Sequence, residues 1–175
     1  MLHHSKFPLF AFLALLCAAI VASCSTSVNG SKQYVTVISE PADATVKIDG
    51  DSGIGHLILP ITRGKPHLIE VKKDGYQTVR ITTGSGTAGA FYGNIILPFY
   101  VSLIGEIIDI SNGSAYSVNP DRTTVVLEKG SGVIEETTGN TATFGIVGGF
   151  VLTLAIWVPL VILAVALGHF SASPP

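Results

Sequence analysis

Residues 44–50 read Ala-Thr-Val-Lys-Ile-Asp-Gly, and their side chains alternate between apolar and polar. In a β-strand, neighbouring side chains point to opposite faces of the sheet, so this alternation predicts a strand with one buried face. We expect Ala44, Val46 and Ile48 on the buried face and the polar residues between them on the other. Gly50–Gly53 is rich in turn-forming residues and is expected to end the strand.

Similar segments lie on both sides of this strand. They are short, rich in β-branched residues, and separated by Pro, Gly or Asp-Gly at intervals of about ten residues. This pattern is typical of a small antiparallel β-sandwich, which we expect over residues 34–83. The other predicted strands are 34–39, 56–59, 67–73 and 76–82.

The same region carries several motifs in a fixed order. Residues 39–44 read Ser-Glu-Pro-Ala-Asp-Ala, Gly55 and Pro60 follow the alternating strand, and residues 73–76 read Lys-Asp-Gly-Tyr. This order resembles that of PEGA domains, although Ala-Asp stands where that family has Glu-Gly. The resemblance implies a small β-sandwich that serves as an extracytoplasmic binding or spacer module without catalytic activity. Either the turn at residues 42–43 needs no positive φ, or Asp43 adopts a positive φ in place of glycine.

The N-terminus has the organisation of a secretory signal peptide. Lys6 precedes an apolar run over residues 7–21, and the small residues Ala22 and Ser23 come directly before Cys24. A thiol at this position resembles the lipobox of bacterial lipoproteins, in which the cysteine is acylated, typically with palmitate, and begins the mature chain. The resemblance implies a signal peptide over 1–23, cleavage between Ser23 and Cys24, and lipid attachment at Cys24. A plain signal peptide and a short N-terminal membrane anchor are the alternatives.

The segment after Cys24 is small and mostly polar. Residues 25–31 read Ser-Thr-Ser-Val-Asn-Gly-Ser, which predicts a flexible tether over 24–33. The chain has two cysteines, and Cys17 lies within the predicted signal peptide. We therefore expect a mature protein without disulfides, stabilised by packing alone.

Residues 84–129 are expected to contain a Gly-rich linker, a short apolar helix and a returning strand. The apolar segment 94–108 is shorter than the roughly 20 residues of a spanning helix, and Pro98 and Glu106 interrupt it. A buried helix, a re-entrant loop and an interfacial helix all fit this pattern. The strand over 123–128 is expected to return to the sandwich and extend one of its sheets.

Two acidic residues of this segment are placed three apart. Glu106 and Asp109 therefore share one face of the predicted helix. We expect them where the helix leaves a membrane or a core. The alternative is that they face a polar cavity within an assembly.

The C-terminal region predicts a transmembrane helix over 144–168, preceded by a linker over 130–143. The 24 residues of 144–167 carry no charge. At about 1.5 Å per residue they extend on the order of 36 Å, enough to cross a hydrocarbon core of about 30 Å. Gly145 and Gly149 form a candidate helix–helix contact, because small residues at this spacing let helices approach closely, and they predict a homo-oligomer.

The composition argues against several classes of function. The 10 basic residues are outnumbered by 12 acidic ones and form no basic patch, which argues against a nucleic-acid partner. Outside the predicted signal peptide, His56, His67 and His169 lie in no metal-ligand spacing. No serine lies in a nucleophile motif with a placed base. We therefore predict a protein that is not an enzyme, with no catalytic residue, no metal and no cofactor.

Two alternative functions follow. The first is a non-enzymatic lipoprotein of the bacterial cell envelope, held on a membrane by the Cys24 lipid and the C-terminal helix. Its β-sandwich would face the periplasm or the exterior and bind an envelope protein or a carbohydrate. The second is an accessory subunit of a membrane-embedded secretion or transport assembly, because two anchors exceed what tethering needs. The apolar helix favours the inner membrane over the outer membrane.

Overall fold

The computed structural model of the protein describes residues 24–171, with side chains from 25 to 167. The predicted signal peptide over 1–23, and with it Ser23, lies outside the described residues. Within this part the helices are α1 (Cys24–Asn29), a 3₁₀ helix (Gly89–Ile96), α2 (Phe99–Ser111) and α3 (Ala142–Ser171). The strands are β1 (Lys32–Glu40), β2 (Thr45–Ile48), β3 (Asp51–Ile54), β4 (His56–Thr62), β5 (Leu68–Lys72), β6 (Thr78–Thr82), β7 (Gly84–Thr87), β8 (Tyr116–Asn119), β9 (Arg122–Val126) and β10 (Val133–Thr137).

Two sheets pack face to face around an apolar core. One has the strand order β4-β1-β9 and the other the order β10-β6-β5-β2-β3, while β7 and β8 form a separate pair. The alternation at residues 44–50 is confirmed, because Val46 and Ile48 are buried and Lys47 between them is exposed. The fold is therefore mainly β with a long C-terminal apolar helix, as predicted. The centre of the core is formed by Val35, Val37, Ala44, Val46, Ile48, Ile69 and Val71.

Two strand pairings are parallel, whereas the expected sandwich was antiparallel. β9 runs parallel to β1, and β10 runs parallel to β6. Parallel neighbours need a long crossover connection. For β9, the connection from β1 includes the strands of the other sheet, the 3₁₀ helix and α2. The predicted return of strand 123–128 is confirmed by β9, but the linker expected over 130–143 contains β10.

The chain changes sheets between β1 and β2, at the residues that carry the PEGA-like motif. The Ser39 N–H and hydroxyl both donate to the Gly55 carbonyl, at 2.8 and 3.2 Å. The Gly55 N–H donates to the Ala44 carbonyl at 2.8 Å. Gly55 has a φ of +71°, and a Cβ there would lie 2.0 Å from the Ala42 carbonyl oxygen. This corner therefore requires glycine at position 55.

Asp43 does not take over the conformational role of the missing glycine. Among the described residues, the non-glycine position with positive φ is Asp49, at +53°. Asp43 instead lies 2.5 Å from the Lys73 ammonium, which also lies 5.1 Å from the centre of the Tyr76 ring. The turn after β2 is formed by Asp49 and Gly50, so residues 51–54 form β3 rather than the predicted turn.

The Gly-rich segment after the sandwich is ordered rather than a flexible linker. Gly84–Thr87 forms β7, which pairs antiparallel with β8. A Cβ at Gly84 would lie 2.2 Å from the Gly139 carbonyl oxygen. Glycine at this position allows close backbone packing. A Gly-rich composition fits both a tightly packed strand and a flexible linker, so it does not distinguish between them.

The predicted apolar helix over 94–108 consists of two elements. The 3₁₀ helix ends at Ile96, and Pro98 is the N-cap of α2. Proline lacks a backbone N–H. It fits the start of a helix because N–H groups there have no partner within the helix. The two helices form a hairpin that packs against α3.

The C-terminal helix is longer than predicted at its start. α3 begins at Ala142, and residues 142–167 are long and apolar enough to cross a membrane by length and composition. Within 24–171 it is the one helix that meets this criterion.

Candidate functional site

The helices meet at a cluster of buried polar side chains, which we call the polar junction. Its members come from α1, the 3₁₀ helix, α2, the loop before β8, and α3. All of them have 0% relative exposure. The residues are Ser25, Asn94, Ser102, Glu106, Asp109, Ser114 and Thr153.

Asp109 is the centre of the junction. Its carboxylate accepts hydrogen bonds from the Ser25 N–H at 3.3 Å and from the Thr26 N–H and hydroxyl at 2.9 and 2.5 Å. It also accepts from the Asn94 amide at 2.7 Å and the Ser114 hydroxyl at 3.0 Å. Hydrogen bonds to a charged group contribute about 1.5–3 kcal/mol each. Asp109 therefore fastens α1 to the 3₁₀ helix and to α2.

The flexible tether expected over 24–33 is absent. Cys24–Asn29 forms α1, Ser25 is fully buried, and β1 begins at Lys32. The small polar residues that suggested flexibility instead fit closely around Asp109 and donate hydrogen bonds to it. Cys24, the predicted lipid attachment site, is the first residue of α1, and its side chain lies outside the described part.

Glu106 continues the junction towards α3. The Thr153 hydroxyl donates to Glu106 Oε1 at 2.5 Å, and the Ser102 hydroxyl lies 3.5 Å from the same oxygen. In the described part of the chain, Glu106 Oε2 has no hydrogen-bond partner. Glu106 and Asp109 thus both point inward, towards other elements of the same chain.

Gly145 and Gly149 do provide a close approach, but not to a second copy of the helix. A Cβ at Gly145 would lie 2.0 Å from Thr87 Oγ1, and one at Gly149 would lie 2.6 Å from Phe91 Cε1. The Tyr92 hydroxyl also donates to the Gly145 carbonyl at 3.1 Å. The predicted helix–helix contact is therefore corrected: this face of α3 packs on β7 and the 3₁₀ helix of the same chain.

A further contact joins α3 to the end of the 3₁₀ helix. The Trp157 indole N–H donates to the Ile95 carbonyl at 2.9 Å. This bond satisfies a polar group in the middle of an apolar helix. It also explains how a tryptophan is accommodated so far from either end of α3.

The sandwich has an open side between β9 of one sheet and β10 of the other. A groove of about 250 Å³ lies there, and we call it the edge groove. Across the described residues, the outer edges of β9 and β10 pair with no other strand. Val126 and Ile134, which line the groove, are 63% and 37% exposed. The groove is lined by Val79, Ile81, Thr123, Thr124, Val125, Val126, Glu128, Ile134 and Glu136.

An ion-pair network fixes β10 beside the edge groove. Arg80 on β6 lies 2.8 Å from Glu70 on β5 and 3.8 Å from Glu135 on β10. The hydrogen bond from Arg80 holds the pKa of Glu70 below its usual range, although partial burial acts in the opposite direction. Arg80 therefore connects three neighbouring strands.

The two histidines with described side chains, His56 and His67, have different surroundings, and the side chain of His169 lies outside the described part. His56 is exposed at the start of β4, while His67 is buried and bonds to Asp49 and to the Thr62 carbonyl. Burial raises the pKa of Asp49, but the hydrogen bonds from His67 and the Leu68 N–H outweigh it and lower that pKa overall. Among the described residues, no group of three or more His, Cys, Asp or Glu side chains is placed to hold a metal ion.

Sequence reasoning found Cys24, Glu106, Asp109 and the two glycines individually but did not bring them together. It gave no signal for Thr153 or Asn94, since single polar residues in apolar segments are common. No family model, curated protein or solved structure matches this chain. The resemblance to PEGA domains and to the lipobox therefore stays a prediction.

Asp109→Ala is expected to release α1. The substitution leaves the five side-chain and backbone hydrogen bonds to the carboxylate without an acceptor. Loss of even one bond to a charged group, about 1.5 kcal/mol, corresponds to a roughly tenfold larger population of the locally open state and to exchange that is faster by the same factor. Hydrogen exchange of the peptide covering residues 25–33, followed by mass spectrometry, measures this rate.

The matched control is Asp121→Ala, which removes an exposed carboxylate from the turn before β9. It should leave exchange over 25–33 unchanged. Unchanged exchange in Asp109→Ala as well would contradict the role assigned to Asp109.

Proposed function

We propose that this chain is a non-enzymatic lipoprotein of the bacterial cell envelope. It holds a β-sandwich in a fixed position at a membrane surface and presents the edge groove to an envelope protein. The observation that supports this most directly is the Asp109 network. It fastens the residues directly after Cys24 to α2, and Glu106 in turn links α2 to α3.

The network gives a reason for two anchors on one chain. One spanning helix suffices to keep a protein on a membrane, whereas a single acyl chain binds only marginally. Two anchors that meet at one rigid junction also restrict how the sandwich is oriented. In this proposal the Cys24 lipid and α3 both enter the membrane next to the polar junction. The orientation of the sandwich relative to the membrane is therefore restricted.

The edge groove supports a protein partner rather than a glycan. Unpaired strand edges bind extended peptide segments through main-chain hydrogen bonds, while neighbouring pockets accept alternate side chains. Val79, Ile81 and Ile134 supply apolar surface in the groove, and Glu128 and Glu136 carry negative charge. These features favour an extended segment with apolar and basic side chains.

We place the protein on the outer face of the inner membrane, with the sandwich in the periplasm. The lipobox resemblance requires export from the cytoplasm. Residues 142–167 form an apolar helix long enough to span a bilayer, and an exported chain with such a helix is expected to stay in the inner membrane.

An accessory subunit of a membrane-embedded assembly is the second candidate. Glu106 favours it, because this buried acid forms no ion pair with a described Lys, Arg or His. Ionisable groups at membrane depth usually serve a function or pair across subunits.

Mass spectrometry of the mature protein tests the lipoprotein assignment. We expect a chain that begins at Cys24 and carries lipid on that residue. Cys24→Ser should abolish both the lipid and the cleavage, while α3 keeps the uncleaved chain in the membrane fraction. A wild-type N-terminus without lipid would contradict the assignment.

Photo-crosslinking in cells tests the role of the edge groove. A photoreactive residue at Val126 or Ile134, which flank the groove, should give adducts of one discrete mass with an envelope protein. The matched control is Ile54 on β3, which is 74% exposed at the far edge of the larger sheet. Adducts of equal yield at Ile54, or no protein adduct at either groove position, would contradict a protein partner at this edge.

A further inference from the structure

The sandwich and the helical hairpin differ in the side chains that they bury. In the sandwich, Val35, Val37 and Val46 are fully buried and charged residues lie outside. In the hairpin of the 3₁₀ helix and α2, the fully buried residues include Asn94 and Glu106. Phe91 and Val101 are buried as well, but Ile96, Tyr100 and Ile107 point outward, with relative exposures of 81%, 70% and 60%.

Exposed apolar side chains and buried carboxylates are an unfavourable combination in water. Burial of apolar surface contributes roughly 25 cal/mol per Å², and burial of charged groups away from water is costly. A hairpin in water would be expected to bury its isoleucines and expose its carboxylates. The opposite orientation indicates an apolar surrounding for residues 89–111.

The contacts with α3 indicate how deep the hairpin would lie in a bilayer that α3 spans. The middle of the 26-residue segment Ala142–Leu167 falls between residues 154 and 155. Thr153, which bonds to Glu106 on α2, lies at this level, and Trp157, which bonds to the Ile95 carbonyl, lies beyond it. If α3 spans the bilayer, the tip of the hairpin must lie past the middle of the span.

The direction of the hairpin is consistent along its length. Tyr92 bonds to Gly145 near the start of α3, and Ile95 bonds to Trp157 farther along. The chain then turns at Pro98 and α2 runs back, so that Asp109 lies near α1 and Cys24. Both ends of the hairpin are thus on the side of the sandwich.

We propose that residues 89–111 are a re-entrant hairpin that enters the bilayer beside α3 and returns to the same side. Lipid hydrocarbon covers its outer face at Ile96, Tyr100 and Ile107. This face is of the same apolar character as the exposed surface of α3, where Val151 and Ile162 are 58% and 63% exposed. The polar junction is the interior that lets buried polar groups pair within the membrane. The inference rests on the proposed membrane position of α3.

Spin labels on the full-length protein test this proposal. Ile96→Cys and Ile107→Cys place a nitroxide on the outer face of the hairpin, in vesicles of phosphatidylethanolamine and phosphatidylglycerol. Oxygen dissolves in hydrocarbon, whereas a water-soluble nickel chelate does not. We expect collisions with oxygen to exceed those with nickel at both positions. All substituted positions are exposed, so the labels should leave the fold intact.

Two reference labels separate the hairpin from the spanning helix. Ile162→Cys on α3 should favour oxygen, and Tyr34→Cys on the sandwich, 71% exposed, should favour nickel. Nickel-favoured labels at 96 and 107 beside an oxygen-favoured label at 162 would overturn the re-entrant hairpin alone. A nickel-favoured label at 162 would overturn the membrane position of α3. Low collision rates with both reagents at 96 and 107 would show that protein covers this face, and would also overturn the proposal.

Discussion

The hydrogen bonds to the buried Asp109 carboxylate are the interaction on which the rest of this structure depends. They join segments far apart in the sequence, because Ser25 and Thr26 lie 84 and 83 residues from Asp109. Without them, α1 would have few apolar residues with which to pack, and the 3₁₀ helix would lose its bond through Asn94. One side chain of α2 thus holds together α1, the 3₁₀ helix and the loop before β8.

The sandwich and the helices have two different kinds of interior, and the Asp109 hydrogen bonds belong to the second. The sandwich is stabilised by apolar burial, as in any small β-domain. The hairpin and α3 bury hydrogen-bonded polar groups and leave many apolar side chains exposed, which suits a hydrocarbon surrounding. Glu106 is the least satisfied member of that interior, because one of its oxygens has no partner among the described residues.

The parts of the fold that could be predicted from the sequence depend on near neighbours. Alternation over 44–50 predicted β2, and an uncharged run predicted α3, because each pattern reports the surroundings of a single element. The predicted tether over 24–33 and the predicted Gly-rich linker within 84–129 were wrong because small residues suit both flexible segments and tight packing. Which one applies depends on partners elsewhere in the chain, such as Asp109 for Ser25 and Gly139 for Gly84. Similarly, the spacing of Gly145 and Gly149 indicated a close approach but not which element approaches.

A distance measurement between α1 and α3 tests the central claim most directly. Val28 on α1 and Phe144 on α3 are 74% and 84% exposed, so spin labels there should not disturb packing. Pulsed electron paramagnetic resonance on the full-length protein in vesicles then gives the distribution of distances between them. If Asp109 fastens α1 to the 3₁₀ helix and α2, which pack against α3, this distribution is narrow with a single maximum. A broad distribution, typical of a flexible tether, would contradict the account.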